Sequence, residues 1–312
     1  MSRVIIVRRM TSGPANLVQR DPRRLGEFTV GPIGFGCWRL TTPSTDDAAR
    51  LVHAAVDLGC TLVDTADVYG LDWGGNGFGS CEERLGQVLQ HTPALRDRIV
   101  LATKGGIVPG VPYDSSAAGI TSACEASLRR LRTDHVDVYQ IHRPDMFTHP
   151  AVLAEALVAL HDRGLVRHVG VSNHTTTQVA ALQAHLPWPL VSVQNEFSAA
   201  HVEPLRDGTL DQVMQLGLTF MAWSPLGKGR IPDGDGVAPE LLAVLDGLAA
   251  EHGVDRATVA LAFVLAHPSA PIAIVGTQRV ERIDAALTAL DVPLGRADVY
   301  AIVQAAEGRP LP

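Results

Sequence analysis

Four residues that together could hold a carbonyl oxygen and move a proton stand in short stretches of the chain: Asp64 and Tyr69 in VDTADVYG, Lys104 in ATKGG, and His142 in YQIHRPD. A lysine placed straight after the apolar IVLAT needs a carboxylate partner, because burial disfavours its charge. Asp64 is the candidate. An ammonium beside Tyr69 draws the phenol's pKa of about 10 towards neutrality, and such a tyrosine donates a proton at ordinary pH. His142 adds a neutral hydrogen-bond donor that orients the oxygen. Singly, each has a plainer explanation: Asp64 as a turn cap, Lys104 reaching solvent, His142 as a satisfied core histidine. Their joint occurrence at neighbouring strand ends favours a proton-donating oxyanion site.

The elements that must position them alternate in type. Short apolar runs read as strands at Ile33–Cys37, Thr61–Asp64, Ile99–Thr103, Val136–Ile141, Val166–Val171, Leu190–Gln194, Leu218–Ala222 and Pro271–Val275. Helical patterns separate them: Asp46–Leu58 with Thr45 as N-cap, Ser80–Leu89, a helix opening at a Ser122/Glu125 capping box, Pro150–Arg163, Thr175–Ala184, Leu210–Leu216, Pro239–His252, Asp255–His267 and Val280–Leu290. Strands that are apolar throughout belong in a parallel sheet covered on both faces. Eight βα units in unbroken rhythm predict a single-domain α/β protein, a (β/α)₈ TIM barrel, with Leu25–Gly31 as a short hairpin closing its bottom. GFGCWR carries only two glycines of the dinucleotide fingerprint, and GGNGFG follows no strand, so a Rossmann domain is not expected.

Bulk properties narrow the partners. With 312 residues, 46% hydrophobic and 19% charged, the chain can bury a sizeable core. A net charge of −7 argues against nucleic acid or an anionic membrane as the main partner. Residues 1–24 are the exception, a basic arm holding Arg3, Arg8, Arg9, Arg20, Arg23 and Arg24 ahead of the barrel over 25–312. The apolar run Val4–Val7 is too short for a signal peptide, and no stretch has membrane-spanning length, so a cytoplasmic location is expected. Cys37, Cys60, Cys81 and Cys124 are widely spaced, as reduced thiols would be, and suggest neither disulfides nor a metal site. Nothing in the sequence sets the oligomeric state.

Chemistry in such a barrel sits at the C-terminal strand ends. Ser172, Asn173 and Gln194 end three strands with neutral groups suited to a carboxamide, and Trp223 offers a flat face to a planar ring. SPLGKGR, with Ser224, Leu226 and Lys228, and GTQRVER, with Gly276, Thr277, Arg279 and Arg282, combine glycine, hydroxyls and cations as a phosphate-rich molecule requires. The competing view of Arg279 and Arg282 is a solvated helix face.

On the motifs GFGCW, DTADVYG, TKGG, IHRPD, GVSN, SVQNEFS, AWSPLGKGR and IVGTQRVERI, the chain from about residue 25 resembles the aldo-keto reductase superfamily. The resemblance implies reduction of a small carbonyl substrate with NADPH, or with NADH, and no metal. It implies Tyr69 as general acid supported by Lys104 and Asp64, with His142 orienting the substrate. Gly36, Cys37, Trp38 and Asp64 would contact the cofactor, Ser172, Asn173 and Gln194 would hold its carboxamide, and Trp223 would take the place where an aromatic stacks on the nicotinamide. Ser224, Leu226 and Lys228 would lie along the pyrophosphate and Thr277 and Arg282 near the adenosine phosphate, with Gly276 and Arg279 also among the cofactor-binding residues. Trp38, Trp73 and Phe78 would line an apolar carbonyl pocket. Ala285 and Ala286 stand where many relatives carry a Glu-Asn pair on adenine, and Gly276 where some have a lysine, so NADPH preference rests on Arg279 and Arg282. Two further readings use the same residues: an oxidative sugar or alcohol dehydrogenase, and a nucleotide-binding regulatory protein like the potassium-channel β subunits. A metal-dependent hydrolase is disfavoured, because Asp64 and His142 lack companion ligands.

Overall fold

A computed structural model of the chain describes residues 16–312, apart from Pro43 and Trp73. Arg23–Leu25 (β1) and Phe28–Val30 (β2) pair antiparallel as a hairpin that turns at Gly26. Eight strands follow: Ile33–Gly36 (β3), Leu62–Asp64 (β4), Val100–Gly105 (β5), Val136–Ile141 (β6), Val166–Ser172 (β7), Ser192–Glu196 (β8), Thr219–Trp223 (β9) and Ile272–Val275 (β10). Each pairs in parallel with its neighbours in sequence, and β10 pairs with β3, which closes the barrel. This is the expected (β/α)₈ barrel.

One helix fills each of the first crossovers: Thr45–Asp57 (α1), Ser80–His91 (α2), Ala117–Leu131 (α3), Pro150–Asp162 (α4), Thr176–Gln183 (α5) and Thr209–Leu216 (α6). Arg230–Asp233 (α7), Pro239–His252 (α8) and Arg256–Leu265 (α9) lie between β9 and β10, and Val280–Leu287 (α10) and Arg296–Glu307 (α11) follow β10. No helix among the described residues is long and apolar enough to cross a membrane.

Two local expectations are corrected. The N-cap of α1 is Ser44, whose Oγ accepts from Asp47 N at 3.2 Å, while Thr45 turns its hydroxyl to Gln87 at 3.0 Å. The helix expected to open at Ser122 begins earlier, at Ala117, with Ser116 Oγ accepting from Gly119 N at 3.1 Å. Ser122 and Glu125 then lie inside a running helix, where backbone donors are already paired and a cap has nothing to satisfy. The closing helix α11 was not foreseen. Asp298 reaches back to Gly295 N at 2.8 Å, Ile302 and Val303 are buried, and Gly308 ends the helix in a left-handed conformation. It packs against α8, outside the βα rhythm.

From residue 16 to 24 the expected arm is packed structure. Leu17 N donates to Leu294 O at 2.8 Å, Gln19 N to Leu265 O at 3.3 Å, and Val18 is buried. Arg23 is buried too, and its guanidinium donates to the carbonyls of Pro271 and Gln19. The part of the arm carrying Arg3, Arg8 and Arg9 lies outside the described residues.

The barrel lumen is layered by polarity. At its lower end Leu25 and Val30 of the hairpin pack with Leu62, Val100, Val138, Met221 and Ile272, so the floor is dry. Each fully buried aliphatic side chain there contributes roughly 1.5–3 kcal/mol. Above that floor the lumen turns polar, with Asp64, Lys104, Gln140 and Gln194 each at most 2% exposed.

Candidate active site

Lys104 lies within β5, one residue from its end, and its side chain is fully buried in the lumen. Nζ donates to Asp64 Oδ2 at 2.7 Å, to the Thr65 carbonyl at 2.8 Å and to the Tyr69 phenol oxygen at 3.2 Å. The other carboxylate oxygen of Asp64 accepts from Gln194 Nε2 at 3.0 Å and Gln140 Nε2 at 3.3 Å. A buried ion pair is tolerated only when its remaining lone pairs are bonded, and here both oxygens are. Burial works to lower the Lys104 pKa, but Asp64 and Tyr69 outweigh it and the direction is upward, so the ammonium keeps its charge.

Tyr69 sits in the turn leaving β4. Gly70 holds that turn at φ +98°, and a Cβ there would lie 1.9 Å from Ser80 Oγ, so the position requires glycine. The expected acidification of Tyr69 is corrected. Burial raises its pKa, Lys104 pulls it down, Asp64 raises it again, and the balance lies above the ordinary value of 10.0. The phenol thus holds its proton firmly, with the ammonium placed to stabilise an anion only as that anion forms.

His142 follows β6 directly, its N–H bonded to the Gly105 carbonyl at 2.9 Å. Its ring meets Tyr69 edge-on, with centroids 5.8 Å apart. Burial, then Lys104 and Arg143, hold it well below the usual histidine pKa, so the imidazole is neutral. Its Nδ1 is buried without a hydrogen-bond partner among the described residues.

These groups stand at the foot of a cleft of about 820 Å³, which runs from Trp38 and Tyr69 past Trp223 and Ser224 to Arg279 and Arg282. Gly36, Leu226, Lys228, Gly276 and Thr277 also line it, as the sequence suggested. Ser172 Oγ donates to the Gln194 carbonyl at 2.8 Å. Asn173 donates to the His142 carbonyl and to Ser172 Oγ, and accepts from Trp223 Nε1 at 3.1 Å. It therefore fixes the indole against the cleft wall. Gln194 spends its Nε2 on Asp64, leaving its Oε1 for a ligand. Asn173, Ser224 and Lys228 all have positive φ, a conformation costly without glycine and concentrated at functional sites. Lys228 is held by Glu196 at 3.2 Å. Ala285 and Ala286 line the far end.

Two expected residues are not brought to the cleft. Cys37 is fully buried outside the lining, and its contribution is a backbone N–H to the Asp64 carbonyl at 2.8 Å. Phe78, in the loop that leads into α2, instead packs against the Arg130 guanidinium of α3, 5.7 Å from the ring centroid. Trp73 lies outside the described residues. Sequence reasoning missed Arg39, Leu71, Asp72, Ile107 and Arg143, which line the mouth. Arg39 and Arg143 each directly follow a residue that was singled out, and loop position was their one available signal. Behind the site it also missed a buried acid pair. Glu82 accepts from Thr103 Oγ1 at 2.5 Å and Arg130 Nε at 2.7 Å, while Asp67, 1% exposed, leaves Oδ1 unpaired and is pushed up to about 8 by burial and Glu82.

The Aldo/keto reductase family model matches residues 32–307. The chain belongs to the aldo/keto reductase family. It is 46% identical over 297 residues to a 6-dehydroglucose reductase of Novosphingobium aromaticivorans, covering 93% of this chain and 97% of that one. To the oxidoreductase YdhF of Escherichia coli it is 38% identical over 304 residues, with 91% and 99% covered. Among solved structures it is similar to an aldo/keto reductase from Klebsiella pneumoniae in complex with NADP and acetate, at TM-score 0.76 and 28% identity over 94% of this chain and 97% of that one. A glycerol dehydrogenase from Gluconobacter oxydans matches at TM-score 0.80 and 25% identity, with the same coverage. This aldo/keto reductase is thus an oxidoreductase whose family acts on small carbonyl compounds.

Proposed function

We propose that the protein reduces aldehyde and ketone carbonyls to alcohols with NADPH, using Tyr69 as the proton donor. The observation that carries this reading is the Lys104 ammonium bonded to both Asp64 and the Tyr69 phenol at the foot of the long cleft. The residues present fit a nicotinamide dinucleotide: one continuous cleft, the Trp223 face, three left-handed backbone positions on its wall, and Arg279 and Arg282 at its far end. Trp223, Ser172 and Gln194 would hold the nicotinamide end, Ser224 and Lys228 the pyrophosphate, and Arg279 and Arg282 the adenosine phosphate. When bound, the cofactor supplies a hydride to the carbonyl carbon.

The chain's own residues do the rest. His142, neutral and lining the cleft edge-on to Tyr69, fixes the substrate oxygen there. Tyr69 holds the proton that this oxygen takes. Lys104, locked by Asp64 and the Thr65 carbonyl, stabilises the phenolate as it appears. The dry floor below Asp64 keeps that charge–charge interaction from being screened. The 6-dehydroglucose reductase relative supports an aldehyde of the sugar type as substrate. The likeness to a glycerol dehydrogenase favours a second reading, oxidation of a polyol, since the same proton and hydride positions serve both directions.

Oxidation of NADPH by the purified protein against aromatic, aliphatic and sugar aldehydes, with NADH in parallel and polyols with NADP⁺ in reverse, tests the proposal. Turnover of an aldehyde with NADPH is expected. Cofactor binding without turnover of any carbonyl would sink it.

A further inference from the structure

Arg143 follows His142 at the mouth of the cleft, half-buried in its wall. Among the described residues its guanidinium makes no hydrogen bond and no ion pair. Asp145, two residues on, is committed elsewhere, accepting from Ser115 N at 2.9 Å, Phe147 N at 3.0 Å and Thr148 Oγ1 at 2.7 Å. Three other cations in or beside the cleft have carboxylates: Lys104 has Asp64, Lys228 has Glu196 at 3.2 Å, and Arg279 has Glu281 at 3.9 Å. Arg143, the residue next to His142, has none.

Its backbone is fixed as well. Pro144 restricts the preceding residue to extended conformations, and His142 is tied at its N–H to Gly105 and at its carbonyl to Asn173 Nδ2, at 2.9 and 3.0 Å. A half-buried guanidinium needs oxygen acceptors, and its planar fork suits two neighbouring oxygens. Asp72, exposed on the loop after β4, lines the same mouth and offers an acceptor for hydroxyl hydrogens.

We propose that Arg143 sets substrate choice at this site, its fork binding a pair of adjacent oxygens, vicinal hydroxyls or a carboxylate, that the substrate carries a few bonds from its carbonyl. The proposal rests on the reductase reading above and adds what that reading lacks, the group by which the substrate is selected. Asp72 makes the diol the expected source.

The test compares kcat/KM with NADPH for two pairs of aldehydes, glyceraldehyde against propionaldehyde and succinic semialdehyde against butyraldehyde, in wild type and Arg143→Met. Intrinsic carbonyl reactivity cancels between the two proteins. Any effect passed through His142 falls on all four aldehydes alike. The variant is expected to lose at least about tenfold of one preference, the size of a charge-assisted hydrogen bond, and the affected pair identifies a diol or a carboxylate. Unchanged ratios overturn the proposal and leave the reductase intact. A second measurement does not depend on turnover. Glycerate, which carries both a diol and a carboxylate but no reducible carbonyl, is titrated by calorimetry into the protein–NADP⁺ complex. Binding about tenfold weaker in Arg143→Met supports the proposal. Equal affinity overturns it, even if no aldehyde is turned over and the reductase reading has failed separately.

Discussion

Lys104 Nζ lies 3.2 Å from the Tyr69 phenol oxygen, and its other two protons go to Asp64 at 2.7 Å and the Thr65 carbonyl at 2.8 Å. All three donors of the ammonium are therefore assigned, and the phenol receives one of them. Asp64 keeps Lys104 charged, and in the proposed mechanism the charged Lys104 makes Tyr69 useful as an acid.

The first consequence concerns stability. Lys104→Met would leave the Asp64 carboxylate buried with only the amides of Gln140 and Gln194. Removing one partner of a buried pair costs about 3–5 kcal/mol, to be read from urea unfolding. Adding Asp64→Asn in the same chain should restore part of it. A loss below about 1 kcal/mol in the single variant, the scale of an exposed pair, would contradict the pairing.

The pH profile of reduction should be flat across neutrality. Burial holds Tyr69 protonated above its ordinary 10.0, and burial with Lys104 and Arg143 holds His142 neutral well below 6.5. In the proposed mechanism, then, neither group that would face the substrate changes charge between about pH 6 and 9. A limb in kcat/KM centred near pH 6.5 would show His142 titrating normally and would contradict this electrostatic description.

Asp67 gives a pH dependence of stability with a definite sign. Its folded pKa of about 8 stands above the ordinary 3.8, chiefly through burial and then Glu82. The native state keeps a proton that the unfolded chain releases, so stability from this group is complete below about pH 4 and is lost as pH rises towards 8. Asn carries no such proton. The melting temperature of Asp67→Asn relative to wild type should therefore climb between pH 4 and pH 8, and a constant difference across that range would refute the assignment.

The proposed reading places cofactor choice at the far end of the cleft. Arg282→Ala should raise the KM for NADPH roughly tenfold or more, the value of a charge-assisted hydrogen bond to phosphate. The KM for NADH should move little. Equal changes for both would place Arg282 on the shared part of the dinucleotide.

The barrel was legible because its signal is repeated. Eight apolar runs in strict alternation with amphipathic helices leave few other architectures, and polar residues at their ends stand out against that background. Asp64, Tyr69, Lys104 and His142 were found for this reason, and the fold brings them together. Features set by tertiary surroundings were not legible. A helix start depends on which serine finds unpaired backbone donors, so Ser116 prevailed over Ser122. The pKa of Tyr69 depends on how burial and Asp64 weigh against Lys104, which neighbouring residue types alone do not reveal. Phe78 was misplaced because an aromatic in a glycine-rich loop carries no periodicity to say which way it faces. Arg143 was passed over because one arginine after a strand end looks like any other until its lack of a partner is seen.

The central claim is that Tyr69 donates the proton, and the most direct measurement is kcat for Tyr69→Phe with NADPH and the best aldehyde of the panel. NADPH affinity is measured alongside by quenching of tryptophan fluorescence, Trp223 lying in the cleft wall. A fall in kcat of at least roughly 10²–10⁴-fold is expected, with NADPH affinity unchanged. A kcat within about threefold of wild type, far short of what a general acid contributes, would contradict it.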